Sequence, residues 1–136
     1  MPIFLDANIL FSAAKSDGAV RQLLGRLSDA RHVCVIDEFV VAEARRNLIA
    51  KYPKAVGDLD IMVFAIGVNP FASDANSMPE VIWLPEKDRP VLASAIRLRC
   101  DALLTGDRTH FGAGYGKVFA GVTIYSPRAL AKAIAG

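Results

Sequence analysis

Ile3-Phe4-Leu5-Asp6-Ala7-Asn8, near the start of the chain, is a short apolar run that ends on an acid and an amide. Three consecutive large apolar residues suit a strand buried on both faces, as parallel strands are, rather than a half-exposed alternating one. Asp6 then stands at the carboxyl end of that strand, where the backbone opens into a turn. Ala102-Leu103-Leu104-Thr105 followed by Gly106-Asp107 repeats the same form a hundred residues later. In an open parallel sheet the carboxyl ends of the strands lie along one edge, so these two aspartates are expected on the same side of the molecule.

The stretch between them alternates helix and strand signals. Val20, Leu23, Leu24 and Leu27 recur at helical spacing, and His32-Val33-Cys34-Val35-Ile36 reads as a second buried strand, completing a β-α-β unit. Asp37 is placed to cap a helix reaching about Lys51, with Val40, Val41, Ala44 and Leu48 as its buried stripe and Pro53 near its end. Residues 54–65 predict another helix, and 67–79, rich in Gly, Pro, Asn and Ser, an irregular connection. Val81-Ile82-Trp83-Leu84 predicts a further strand. A helix follows near Asp88-Arg89-Pro90, because proline is tolerated in a first turn, and buries Val91, Leu92, Ala95, Ile96 and Leu98. Residues 121–125 predict a fifth strand and 127–134 a closing helix. This order predicts the α/β class, a central parallel sheet of about five strands flanked by helices on both faces.

A chain of 136 residues is the size of one domain, so residues 1–136 are expected to form a single one. With 53% hydrophobic and 22% charged residues it can fill a core, which excludes disorder. The net charge of +2 is too small to announce a nucleic-acid binder; where the charges lie must decide that. The N-terminus meets Asp6 before any signal-peptide core could form, and the apolar stretch 61–68 is too short to span a bilayer. A cytoplasmic protein with no membrane attachment is therefore expected. Cys34 and Cys100 are isolated within or beside apolar segments and read as reduced core thiols.

Two further acids join Asp6 and Asp107. Asp88 opens the helix after the predicted strand 81–84, which places it on the same sheet edge. Glu43 lies beside the buried stripe of its helix rather than opposite it, and so points over that edge. Each has an ordinary alternative: Asp6 with Asn8 an Asx turn, Asp88 a helix cap, Asp107 a turn residue after Gly106, Glu43 a solvated charge. Gathered in one pocket, they would repel by about 4 kcal/mol per close pair at an effective dielectric of roughly 20, and must take up cations or protons. Oxygen ligands without a cysteine or histidine cluster favour Mg²⁺, or Mn²⁺, over zinc. A bound ion of that kind activates water against phosphorus, which is phosphodiester hydrolysis.

At these residues the sequence resembles the PIN-domain family, particularly the VapC-like toxins of bacterial and archaeal toxin–antitoxin pairs. Ile3-Phe4-Leu5-Asp6-Ala7-Asn8-Ile9-Leu10, Lys87-Asp88-Arg89-Pro90-Val91-Leu92-Ala93-Ser94-Ala95 and Asp101-Ala102-Leu103-Leu104-Thr105-Gly106-Asp107-Arg108-Thr109-His110-Phe111 carry it in order, with Glu43 in the intervening helix. The resemblance spans nearly the whole chain and implies a metal-dependent endoribonuclease that cuts single-stranded or loop RNA. It implies that Asp6, Glu43, Asp88 and Asp107 hold Mg²⁺ or Mn²⁺ and that Asn8 and Thr105 orient them by hydrogen bonds. Asp101 is expected to end a helix rather than bind metal. The partners implied are RNA, a small antitoxin protein and a second copy of the chain. Residues 55–78 depart most from the family pattern.

Arg45, Arg46, Arg89 and Arg108 neighbour the acids in sequence and are candidates for holding RNA phosphates, with solvated surface charge as the alternative for each. His110 reads as a loop histidine within reach of a phosphate, and Trp83 and Phe111 as core anchors. Two other functions compete. An aspartyl-phosphate phosphatase or receiver-like domain also places an Asp after its first strand, but a phosphatase of that kind wants a second Asp where this chain has Asn8. A PIN-like module that binds RNA or protein without cutting is the other, against which the intact acid set argues.

Overall fold

The computed structural model describes residues 1–72 and 74–135. The opening run forms β1 (Pro2–Leu5), whose Ile3, Phe4 and Leu5 are fully buried. It does not open into a turn as expected. Asp6 instead caps a helix directly, α1 (Ala7–Lys15), its side chain accepting from the Ala7 N–H, which satisfies one of the donors a helix start leaves bare. Then come α2 (Ala19–Asp29), β2 (Val33–Asp37), α3 (Glu38–Lys51), α4 (Val56–Ile66) and the short β3 (Val68–Asn69). The second half holds α5 (Arg89–Arg97), β4 (Ala102–Leu104), α6 (Arg108–Phe111), β5 (Val118–Phe119), β6 (Val122–Tyr125) and α7 (Pro127–Ala135).

The strands make one sheet in the order β3-β2-β1-β4-β6-β5, parallel except for the β5–β6 pair. The α/β class and the parallel sheet therefore stand, with five parallel strands and one antiparallel edge strand. Right-handed crossovers put the helices that lead from β1 out to β3 on one face and α5, which leads back to β4, on the other. β1 is central, with Phe4 in register with Val35 of β2 on one side and Leu103 of β4 on the other. The strand order reverses between β1 and β4, and a crevice opens at their carboxyl ends.

One expected strand is absent. Residues 81–84 begin at the last residue of a 3-10 turn, Pro79–Val81, and continue out of it; Val81 and Leu84 are buried while Ile82 is 60% exposed. Burial at every third residue is the period of a 3-10 turn, not the two-residue period of a strand. Pro79 and Pro85 bracket the run, and the Trp83 indole N–H donates to the Glu80 carbonyl at 2.8 Å. The parallel strand that this run was expected to supply is β3 instead, which falls inside the segment read as an irregular connection, of which Ser73 lies outside the described residues. Trp83 stacks on Phe119 and meets Phe111 edge-on, and Phe111 is fully buried, so both anchor the core as expected. Cys100 is buried and Cys34 half-buried, both free thiols that burial pushes to higher pKa. Among the described residues no helix is long and apolar enough to cross a membrane.

Candidate metal centre

The crevice between β1 and β4 is closed by a hydrogen-bond network whose members come from both strands. Asp6 is 4% exposed, and each of its oxygens is held: Oδ1 accepts from the Ala7 N–H at 2.7 Å, Oδ2 from the Thr105 hydroxyl at 2.7 Å and from Asn8 Nδ2 at 3.1 Å. Asn8 Oδ1 in turn accepts the Gly106 N–H at 2.8 Å. The Thr105 hydroxyl, fully buried, accepts the Asp107 N–H at 3.1 Å. Asn8 and Thr105 thus tie the end of β1 to the end of β4, with Tyr115 bracing Thr105 by donating its phenol to that residue's carbonyl at 2.8 Å.

Asp107 caps the short α6, accepting from the His110 N–H, and its Oδ2 lies 2.8 Å from the Nδ1 of the same histidine. Asp88 arrives at the same point from another direction. It closes a 3-10 turn, Glu86–Asp88, at the head of α5, so the acid reaches the sheet edge although the strand expected to precede it is absent. His110 Nδ1 lies 3.3 Å from Asp88 Oδ2. One ligand atom from each of Asp88, Asp107 and His110 falls within 4.8 Å of the others.

Glu43, half-buried on α3, and Asp6 stand outside that trio, yet both sense it. Burial is the main force raising the Glu43 carboxyl, opposed by Arg46, with Asp88 and Asp107 adding to the rise. Burial likewise pushes Asp6 up from 3.8 to about 6, against the hydrogen bonds from Thr105 and Ala7 and with help from Glu43 and Asp88. Asp88 is also raised, chiefly by burial, while His110 opposes and Asp107 reinforces. The four expected acids therefore occupy one electrostatic neighbourhood, and His110, expected in a loop but carried on α6, is a fifth member. Its signal was its place three residues after a capping aspartate, a spacing that sets two side chains side by side.

A cation fits this arrangement on a specific ground: Asp88 Oδ2 is buried and makes no hydrogen bond among the described residues, facing only the His110 imidazole at 3.3 Å. A buried carboxylate oxygen without a hydrogen bond is costly, and a bound ion would offset that cost. The two carboxylates suit Mg²⁺ or Mn²⁺, and the His110 Nδ1, 2.8 Å from Asp107 Oδ2, would add a nitrogen that favours Mn²⁺ once it gives up that hydrogen bond.

The arginines fall in different places. Arg45 pairs with Asp60 at 2.6 Å. Arg46 is exposed and lowers the Glu43 pKa. Arg108 is exposed and lines a cleft with Gly106, Tyr115 and Arg128. Arg89 turns its guanidinium onto the backbone carbonyls of Leu84 and Ile82 at 2.9 and 3.2 Å, clamping the turn that carries Asp88. Asp101 does not end a helix as expected, since α5 stops at Arg97; it precedes β4, at the opposite end of that strand from Asp107.

No family profile matches the sequence, and no curated protein matches it. Solved structures do. VapBC2 from Rickettsia felis, bound to a DNA fragment from its promoter, superposes with a TM-score of 0.69 at 17% identity over 93% of this chain and 98% of that one. VapBC-1 from nontypeable Haemophilus influenzae gives 0.64 at 14% identity over 94% and 99%. FitAB bound to an IR36 DNA fragment gives 0.62 at 19% identity over 92% and 94%. At such identities the likeness is one of architecture, and the chain has the PIN-like fold.

Proposed function

We propose that this protein is a divalent-metal-dependent endoribonuclease of the PIN-domain family, acting on single-stranded or loop RNA as the toxin of a type II toxin–antitoxin pair. The observation that carries the reading is the convergence of Asp88, Asp107 and His110 within 4.8 Å, beside a buried Asp6, at the switch point of a parallel sheet. When bound there, Mg²⁺ or Mn²⁺ supplies an activated water and neutralises charge on the phosphoryl oxygens. Asp88 and Asp107 hold the ion by carboxylate oxygens, with Glu43 at the rim. Asn8 and Thr105 fix Asp6 so that its negative charge faces the crevice without swinging away. Of the four candidate arginines, Arg46 and Arg108 are exposed near the acids and are the ones placed to meet RNA phosphates.

The phosphatase alternative is disfavoured by Asp6 itself, which is 4% exposed and has three donors converging on its carboxylate, whereas a nucleophile must be open to an incoming phosphorus. The toxin role draws support from the fold shared with VapBC and FitAB complexes. It also draws on Ile61 and Phe64 of α4, which are 70% and 91% exposed and suit a protein partner, an antitoxin or a second copy. The test is cleavage of unstructured RNA with Mn²⁺ or Mg²⁺ against EDTA. Asp88→Asn and Asp107→Asn are expected to lower the rate by at least about 100-fold. RNA binding without metal-dependent scission would establish the non-cleaving module instead.

A further inference from the structure

We propose that a groove leading from Glu43 to Tyr52 is a subsite for single-stranded RNA, with a base resting on the Tyr52 ring and phosphates held by Lys15, Lys51 and Lys54. The inference rests on the nuclease reading and says where the strand leaves the acids. Asn8, Phe11, Glu43, Asn47 and Lys51 line a narrow cleft beside the metal centre. Lys51 is also a wall of a second cleft, shared with Lys15, Tyr52 and Lys54. The two clefts share that lysine and follow one another along α1 and α3, from Asn8 and Glu43 beside the acids to Lys15 and Lys51 at the helices' C-terminal ends.

Charge and ring content select the occupant. Lys15, Lys51 and Lys54 are exposed, and none is ion-paired among the described residues. Asp58, the acid lining the second cleft, faces Arg21 at 3.6 Å. Tyr52 is 43% exposed and meets Phe11 edge-on with centroids 5.8 Å apart. Lys15 Nζ sits 4.6 Å from the Tyr52 ring centroid and Lys51 Nζ 5.9 Å from that of Phe11. An exposed ring beside lysine ammonium groups is the surface that sequence-tolerant single-strand binding uses, the ring taking an unstacked base. A duplex, its bases already stacked, gains nothing from such a ring. A base on an aromatic ring is worth roughly ten- to a hundred-fold in affinity, and an exposed ammonium–ring contact only about two- to five-fold. A base therefore displaces Lys15 from Tyr52, and the freed ammonium turns to a phosphate.

The test is an anisotropy titration of fluorescein-labelled oligouridylate against full-length protein carrying the cleavage-silent Asp107→Asn change. Adding Tyr52→Ala is expected to weaken binding about ten-fold, while Tyr52→Phe keeps the parent affinity. Adding Lys51→Ala and Lys54→Ala together is expected to make the slope of log affinity against log salt shallower by about 1.4, or about 0.7 per lost phosphate contact. Equal affinity and slope in every variant would overturn the subsite, as would dependence on these residues for binding of an oligoglutamate peptide but not of RNA. The lysine changes lie on exposed side chains and keep the test decisive should Tyr52→Ala unfold. Metal-dependent cleavage by the unmutated protein, with no binding difference among the variants, sinks the subsite and leaves the nuclease. The binding differences without any cleavage do the reverse.

Discussion

Asp6→Asn is expected to stabilise the metal-free protein while impairing its function. Burial pushes the Asp6 carboxyl from 3.8 to about 6, and at about 1.4 kcal/mol per unit, keeping it ionised at pH 7 costs the apo fold about 3 kcal/mol. Asparagine removes that charge. Its Oδ1 still caps α1 through the Ala7 N–H, but its amide replaces the oxygen that accepts from Asn8 and Thr105. Setting two donors against each other there gives back about 1–2 kcal/mol. The net gain is about 1–2 kcal/mol, or about 3–7 °C in Tm for a chain of this length.

The pH dependence carries the sign. The folded state holds the Asp6 proton more tightly than the unfolded chain, so this group's stabilisation is complete below about 3.8 and is lost as pH rises through about 6. In EDTA the advantage of Asp6→Asn is therefore largest at pH 7 and shrinks toward pH 5. Urea unfolding at the two pH values measures it. With Mn²⁺ the order reverses, because an ion at a hundred times its dissociation constant adds about 2.7 kcal/mol to the protein that binds it. An Asp6→Asn variant less stable than its parent in EDTA, by a margin that does not change between pH 5 and 7, would refute the reasoning.

Other perturbations follow from the same contacts. Thr105→Val deletes a buried hydroxyl that donates to Asp6 and accepts from the Asp107 N–H; a loss of about 2–3 kcal/mol in urea unfolding is expected, and an unchanged midpoint would show the network to be idle. His110→Ala is expected to weaken Mn²⁺ binding by about 10–100-fold in calorimetry, with a smaller effect on Mg²⁺; equal affinities would remove the imidazole from the ligand set. Gly114→Ala puts a methyl 2.5 Å from Trp83 Cη2 and 3.1 Å from Ile124 Cδ1, and should cost about 1–3 kcal/mol, read as a fall in Tm. Arg31→Gly relaxes a non-glycine residue at φ 64° just beyond α2 and should add about 0.5–1 kcal/mol; a lower Tm would mean that the arginine side chain contributes more than the backbone strain costs.

The sheet was legible because its central strands are continuous apolar runs, Ile3-Phe4-Leu5 and Ala102-Leu103-Leu104, which only a doubly covered sheet can bury. α1 was missed because Asp6-Ala7-Asn8 carries turn chemistry and capping chemistry at once, and local sequence cannot say which the backbone takes. The strand misread at residues 81–84 had the converse fault. Four apolar residues are too few to separate a period of two from a period of three, and it is the clamp of Arg89 on Leu84 and Ile82 that settles the turn. β3 and β5 are two residues each and carry no period at all.

The acids were legible one at a time as strand ends and helix starts, but their adjacency is a property of strand order. Asp6 and Asp107 share a crevice because β4 returns to lie beside β1 after β2 and β3 have been laid on the other side. Nothing local in either motif encodes that neighbour. Thr105 then makes the adjacency energetic, since its one hydroxyl receives the amide of Asp107 and donates to the carboxylate of Asp6. A buried acid at a chain crossing, its pKa raised to about 6 by burial in spite of three hydrogen bonds, carries a charge that something positive bound there would stabilise. The buried Asp88 oxygen, which lacks a hydrogen bond, points to the same conclusion from the opposite side of the crevice.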